Sequence, residues 1–301
     1  MNDNNFNFDE LKQTKFEAEI AQSLLEQLLV ESRLYRQSKD YKDLLDFVVR
    51  MRNFAPFNAM ILQIQKPGLR FAASKFDWWH RFKRTVREGS RPLIILWPFG
   101  PIALVYDLDD TEGESLPDSV KHTFRADGKL PLNYINQFMP LLNKQGIILE
   151  LIDFGDAHAG DVKAGKNDEG LMIGEQSKDV KKRPSYLIRI NSNHDPNVQF
   201  VTLIHELAHL FLGHLGPNKY LKIVERRRPN HEIGELEAES VAYLVCHRNG
   251  VKSKSEEYLV NYVKANTTIR NLDLYMILKS AGQIETILEL GDMVSFGPRK
   301  K

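Results

Sequence analysis

Cysteine is nearly missing from this chain: Cys246 is the single one among 301 residues. One thiol cannot close a disulfide within the chain and cannot supply several thiolate ligands to a metal. A disulfide-stapled secreted fold and a Cys-rich metal site are therefore excluded, and a reducing compartment fits. Net charge is nearly missing as well. Lys plus Arg (41) and Asp plus Glu (40) cancel to a formal +1, so no global field draws the protein to nucleic acid or acidic lipid. Any such attraction must be local. Long apolar runs are also lacking, none approaching the ~18 residues that cross a bilayer. The opening MNDNNFNFDE is polar and acidic, without the basic flank and apolar core of a secretory leader. The expectation is a cytoplasmic protein with no membrane partner.

With 42% hydrophobic residues, the chain can bury a substantial core in one large or two modest domains. Apolar residues recur at helical spacing from Phe8 to about Tyr35 and again from Tyr41 to Arg52. The stretch FAPFNAMILQIQKPG reads as a short helix stopped by Pro67-Gly68. A basic aromatic helix beginning at KFDWWHRFKR follows, then two strands, PLIILW and IALVYDL, joined by a Pro/Gly turn. Residues 109–130 lose all periodicity and carry charge and glycine, so a connection is expected at 111–130, between an N-terminal region, 1–110, and a second part, 131–301. In the second part come a helix (Leu132 to Lys144), a strand (GIILELIDF), a loop with glycines at 160, 165 and 170, and a strand (SYLIRIN). A long apolar segment follows, and beyond the Asn249-Gly250 stop the chain reads as helical to about Leu290, with a basic tail. The class expected is α+β, mainly helical with small β-sheets.

Chemistry concentrates in LIHELAHLFLGH, residues 203–214. Residues four apart on a helix differ by about 400°, so His205 and His209 project along nearly one line and two imidazoles can reach one ion. Glu206 is turned about 100° away, placed to hold a water rather than to bind the ion. This is the H-E-x-x-H arrangement of two zinc ligands and a general base. The flanking Val201, Ile204, Leu207, Ala208, Leu210, Phe211 and Leu212 imply a buried helix, where unpartnered titratable groups cost several kcal/mol, on the order of 2–7 for each. A bound Zn2+ removes that cost, whereas the plainer alternative is a pair of hydrogen-bonded core histidines.

A third ligand is required. One zincin pattern needs histidine six residues past the second, but Leu215 stands there and His214 is one short. The segment NHEIGELEAESVAYLVCHRNG offers another route: Glu235 and Glu239 lie four apart on a line that continues to Ala242 and Cys246, so their stripe faces inward. Glu235 is expected as third ligand and Glu239 as the acceptor that orients a ligand histidine. Glu237, about 200° round the helix, is expected on the solvated side.

HELAHLFLGH followed by ELEAESVAYLV, with the lead-in YLIRINSNHDPNVQFVTLIHELAH, resembles the ImmA/IrrE family of intracellular zinc metallopeptidases of the gluzincin type. The resemblance covers roughly Gly146 to the C-terminal helices. It implies a zincin-like (minimal gluzincin) C-terminal domain, with His205, His209 and Glu235 matching the metal ligands and Glu206 the catalytic base. It also implies a protein substrate, a transcriptional repressor or a stress regulator. Glu239 departs from it, since many members carry asparagine there. His214 and His231 are both candidates to stabilise an oxyanion, with no ground to choose between them.

Between Lys66 and Arg91, eight Lys or Arg face two acids, with Phe76, Trp78, Trp79 and Phe82 interleaved. Cations beside aromatics suit single-stranded nucleic acid, and Trp78, Trp79, Arg81, Lys83, Arg84 and Arg87 are its candidate contacts. The same pattern also describes an amphipathic helix with Trp78 and Phe82 in the core. PFNAMILQIQKPG, the tryptophans and VREGSRPLIIL loosely resemble the N-terminal ssDNA-binding domain of ArdC-like antirestriction proteins. Two functions are thus expected in competition: a zinc-dependent endopeptidase, and an ssDNA-binding, antirestriction-like protein whose zinc domain is regulatory or structural.

Overall fold

The computed structural model describes residues 38–97, 100–116, 134–155, 158–165, 186–253, 259 and 272–290. The helix expected from Phe8 to Tyr35, and most of the connection expected at 111–130, lie outside them. Among the described residues the chain is α+β, with seven helices and three small sheets. None of these helices is long and apolar enough to cross a membrane.

The first helix, α1 (Ser38–Arg50), buries Tyr41, Leu44, Leu45, Phe47 and Val48, the spacing of a single apolar face. Helix α2 (Pro56–Gln65) starts on a proline, whose missing N–H costs nothing in a first turn, and stops before Pro67-Gly68. Strand β1 (Ala72–Ala73) and helix α3 (Lys75–His80) follow, the helix capped by Ser74 Oγ, which accepts from the Asp77 N–H at 3.0 Å.

The basic aromatic helix is much shorter than its composition suggested. Lys83 takes a positive φ of 51°, and the chain leaves as β2 (Arg84–Val86), antiparallel to β5 (Thr111–Gly113). That pairing fixes the start of the stretch expected to be a connection. Only glycine fits at 113, because a Cβ there would run into the Lys83 carbonyl oxygen and φ is +135°. Between these two, β3 (Leu93–Trp97) and β4 (Gly100–Asp107) form an antiparallel pair that β1 extends in the order β1-β4-β3. Trp78, Phe71, Phe82, Ala73 and Leu116 close a small apolar cluster of their own.

Helix α4 (Tyr134–Lys144) leads into β6 (Ile147–Ile152), β7 (Gly160–Ala164) and β8 (Tyr186–Asn191), ordered β6-β8-β7. Strand β8 is parallel to β6 and antiparallel to β7. The glycine at 160 was expected to mark a loop, yet it begins a strand. A Cβ there would sit 2.6 Å from Thr202 Cγ2 and 2.7 Å from the Arg189 carbonyl oxygen, so the glycine permits a close approach instead.

Thr202 lies on α5 (Pro196–Phe211), the helix that packs on this sheet and carries the two histidines. Its neighbour α6 (His231–Arg248) is capped by Asn230 Oδ1, which accepts from the Ile233 N–H at 2.9 Å, and ends where Gly250 turns with φ +80°. Helix α7 (Leu274–Ile287) packs on α2, α5 and α6. One apolar cluster joins Tyr41 and Leu45 of α1 to Ile190 of β8, Leu207 of α5, Leu244 of α6 and Ile284 of α7.

Candidate metal centre

Two helices meet at the site. Helix α5 is buried on most sides by Phe200, Leu203, Ile204, Leu207, Leu210 and Phe211, so its histidines have little freedom to turn. Helix α6, packed against it, brings Glu235 opposite. His205 Nε2 and His209 Nε2 stand 3.1 Å apart. Glu235 places Oε2 3.5 Å from the first and Oε1 3.5 Å from the second. One ligand atom from each of the three lies within 4.8 Å of the others. Two imidazole nitrogens and one carboxylate oxygen converging on a point are a donor set suited to zinc. The residues present therefore fit that ion.

The surroundings set the charge states. Burial, above all, pushes the Glu206 carboxyl up to about 7, against the nearby His205, with the charges of Asp161 and Glu235 adding to the rise. Burial works to lower His205, but the Glu235 hydrogen bond and the charges of Glu239 and Glu206 outweigh it, so the net shift is upward. His209 moves the other way, lowered first by burial and then by repulsion from His205. Glu235 is lowered, chiefly by its hydrogen bond with His205.

Behind these side chains stand partners. Glu239 Oε1 lies 3.5 Å from His205 Nδ1, on the ring edge away from Glu235. The counterpart for His209 was missed. Its Nδ1 is 2.8 Å from Nδ1 of His214, whose Nε2 is 3.2 Å from Glu237 Oε2. Arg226 Nη2 and the Asp273 backbone N–H each donate to Glu237 Oε1 at 3.0 Å. Glu237 was expected to be solvated, and this is a correction: it is 0% exposed. The position opposite the Glu235 stripe is not solvent, because α6 is covered on both sides, with Leu236, Ala238, Val241, Leu244 and Val245 also buried. That all-round apolar content was the available signal. Burial would raise the Glu237 pKa, but hydrogen bonds from His214, Arg226 and the Asp273 backbone hold it low.

The two oxyanion candidates separate. His214 has both ring nitrogens engaged, on His209 and Glu237, so it has no hydrogen bond left for a substrate oxygen. His231 has an 88% exposed side chain, with Nδ1 3.6 Å from Glu235 Oε1.

Strand β8 (SYLIRIN) holds a strand on each side and so offers no edge to an extended substrate. Among the described residues the strands of this sheet with one partner are β6 and β7, and β7 is the one that packs against α5. Its Asp161 accepts from Arg189 Nε at 2.8 Å and also from Nη2.

The six residues proposed for nucleic acid do not form one surface. Trp78 is 0% exposed and donates its indole N–H to the Tyr106 carbonyl at 3.0 Å, which corrects its assignment to a base-stacking face. Arg84 donates to Thr111 Oγ1 at 2.8 Å and to the Thr111 carbonyl at 2.9 Å, so much of its guanidinium stitches β2 to β5. Arg81 lies 3.6 Å from Asp77, Arg87 reaches the Asp109 carbonyl at 3.2 Å, and Lys83 donates to the His80 carbonyl at 3.2 Å. Trp79 is exposed.

The comparisons with known proteins bear on this geometry. Residues 169–250 match the family model described as the IrrE N-terminal-like domain, a peptidase family, and that span holds α5 and α6 with all the ligand candidates. The resemblance to the ImmA/IrrE family is thereby borne out over that region, and the zincin-like class with it. The chain is also similar to a crystal structure of antirestriction ArdC protein from R388 plasmid, in metal-free form. The two are 15% identical, with 77% of this chain and 82% of that one covered, at a TM-score of 0.31. So low a TM-score carries no structural argument. Comparison with curated proteins gives no match.

Proposed function

We propose that this chain is a zinc-dependent endopeptidase that cuts a regulatory protein in the cytoplasm. The observation that carries the reading is the convergence of His205, His209 and Glu235, with the half-buried Glu206 one residue from His205 along the same helix. Those three side chains would hold the ion, which would polarise a peptide carbonyl and acidify a water molecule. Glu206, next to His205 on the same helix, accepts the proton of the attacking water and delivers it to the leaving amine. An extended substrate adds to the open side of β7, which packs against α5, rather than to β8. His231, exposed beside Glu235, is the histidine left to stabilise the oxyanion.

The test is the appearance of new N-termini in a cell extract treated with wild type and with Glu206→Gln. Wild type generates cleavage products that the variant, still binding zinc, does not. Equal cleavage by both would remove Glu206 from the mechanism.

The second reading, a single-stranded DNA binder, keeps one favourable observation, the 59% exposed ring of Trp79 beside the exposed Arg81. The division of the chain into 1–110 and 131–301 is likewise proposed as a division along the sequence, since α1 and α2 share the apolar cluster of α5, α6 and α7.

A further inference from the structure

The groups behind His209 form a chain with a direction. Glu237 is fully buried, and a carboxylate only accepts hydrogen bonds. Its Oε1 is taken by Arg226 and the Asp273 N–H, so Oε2 faces His214 Nε2 at 3.2 Å. That nitrogen must carry a proton. In a neutral imidazole the other nitrogen is then bare, so His214 Nδ1 accepts, and its 2.8 Å contact requires the proton on His209 Nδ1. His209 Nε2 is left bare. It is this nitrogen that faces His205 Nε2 and Glu235, where a ligand lone pair is required.

We infer that Glu237 is a positioning residue for His209, acting through His214 to fix the tautomer that presents Nε2 to the metal, with Arg226 and the start of α7 aligning the carboxylate. The two ligand histidines are thus oriented differently: His205 by Glu239 directly, His209 by a relay. The inference rests on the proposed ligand role of His209. It also removes Glu237 as an innocent surface position.

Substitution Glu237→Gln reverses the relay. Arg226 and the Asp273 N–H demand the amide oxygen, so the amide NH2 turns to His214 Nε2, which must then accept. His214 Nδ1 becomes the donor, and the His209 proton moves to Nε2. His214→Gln should preserve the direction, since its amide can donate to Glu237 and accept from His209. His214→Phe cannot.

The experiment measures 15N imidazole tautomers in the metal-free protein and zinc affinity by chelator competition. Expected are His209 protonated on Nδ1 in wild type and on Nε2 in Glu237→Gln. Zinc binding should weaken about 10–100-fold in Glu237→Gln and His214→Phe, and much less in His214→Gln. A wild-type His209 protonated on Nε2, or a Glu237→Gln variant with unchanged tautomer and affinity, overturns the inference. A merely structural role would lower the melting temperature of the variants without moving the His209 proton. Should a variant fail to fold, the wild-type tautomers still decide. Should wild type bind no zinc, the peptidase reading fails while the tautomers still judge the relay.

Discussion

Removing the Arg248 side chain should destabilise the protein more than almost any other single change, because that one guanidinium ties three helices. It stands at the end of α6, 2% exposed, and makes a bidentate pair with the equally buried Glu285 of α7, Nε to Oε1 at 2.7 Å and Nη2 to Oε2 at 3.1 Å. The same group donates to the Val48 carbonyl at 2.6 Å and the Phe54 carbonyl at 2.8 Å, at and beyond the end of α1. Breaking a buried pair from one side leaves an uncompensated charge and costs about 3–5 kcal/mol. Each orphaned carbonyl adds about 1 kcal/mol. Arg248→Met should therefore cost about 5–7 kcal/mol, against the roughly 5–15 kcal/mol by which domains are stable. Arg248→Met with Glu285→Leu removes the stranded charge but not the orphaned carbonyls, so it should recover at least ~3 kcal/mol of that loss. Urea unfolding of the metal-free protein reads both numbers. A cost below ~1 kcal/mol for the single variant, or a double variant no more stable than the single, would refute the reasoning.

Other outcomes follow from the same geometry. Arg189 hydrogen-bonded to Asp161 holds that carboxyl below its ordinary value of about 3.9. The stability it contributes is full above that value and is lost as pH falls through the lower folded value; Asp161→Asn should flatten this part of an acid-unfolding curve, and an unchanged curve would contradict it. In filter binding of single-stranded oligonucleotides, Trp79→Ala and raised salt should each weaken retention, and retention unchanged by both would contradict the second reading. Arg84→Ala should instead lower the melting temperature, since its bonds go to β5, and a variant as stable as wild type would count against that role.

Helix α5 and the convergence at its face were legible because helical periodicity is local: four residues return a side chain to the same line whatever packs around it. The inward stripe of Glu235 and Glu239 was legible for the same reason. What periodicity cannot report is how many neighbours a helix has. Glu237 lies opposite the stripe, and only the packing of α5, α7 and the Arg226 segment around α6 turns that side into interior. Gly160 carried a true signal with the wrong reading, since a glycine marks a close approach as readily as a loop. The basic aromatic stretch was ambiguous by nature. Whether Trp78 faces solvent or core depends on β4, which is brought back to it by hydrogen bonding that no local pattern encodes.

The most direct test of the central claim is the metal content of purified protein by elemental mass spectrometry, for wild type, Glu235→Ala and Glu232→Ala. Glu232 is exposed on the same helix and serves as the neutral position. The account predicts one zinc per chain in wild type and Glu232→Ala, and loss of it in Glu235→Ala. Wild type that takes up no stoichiometric zinc on reconstitution, or a Glu235→Ala variant that holds it as firmly as wild type, would contradict the assignment.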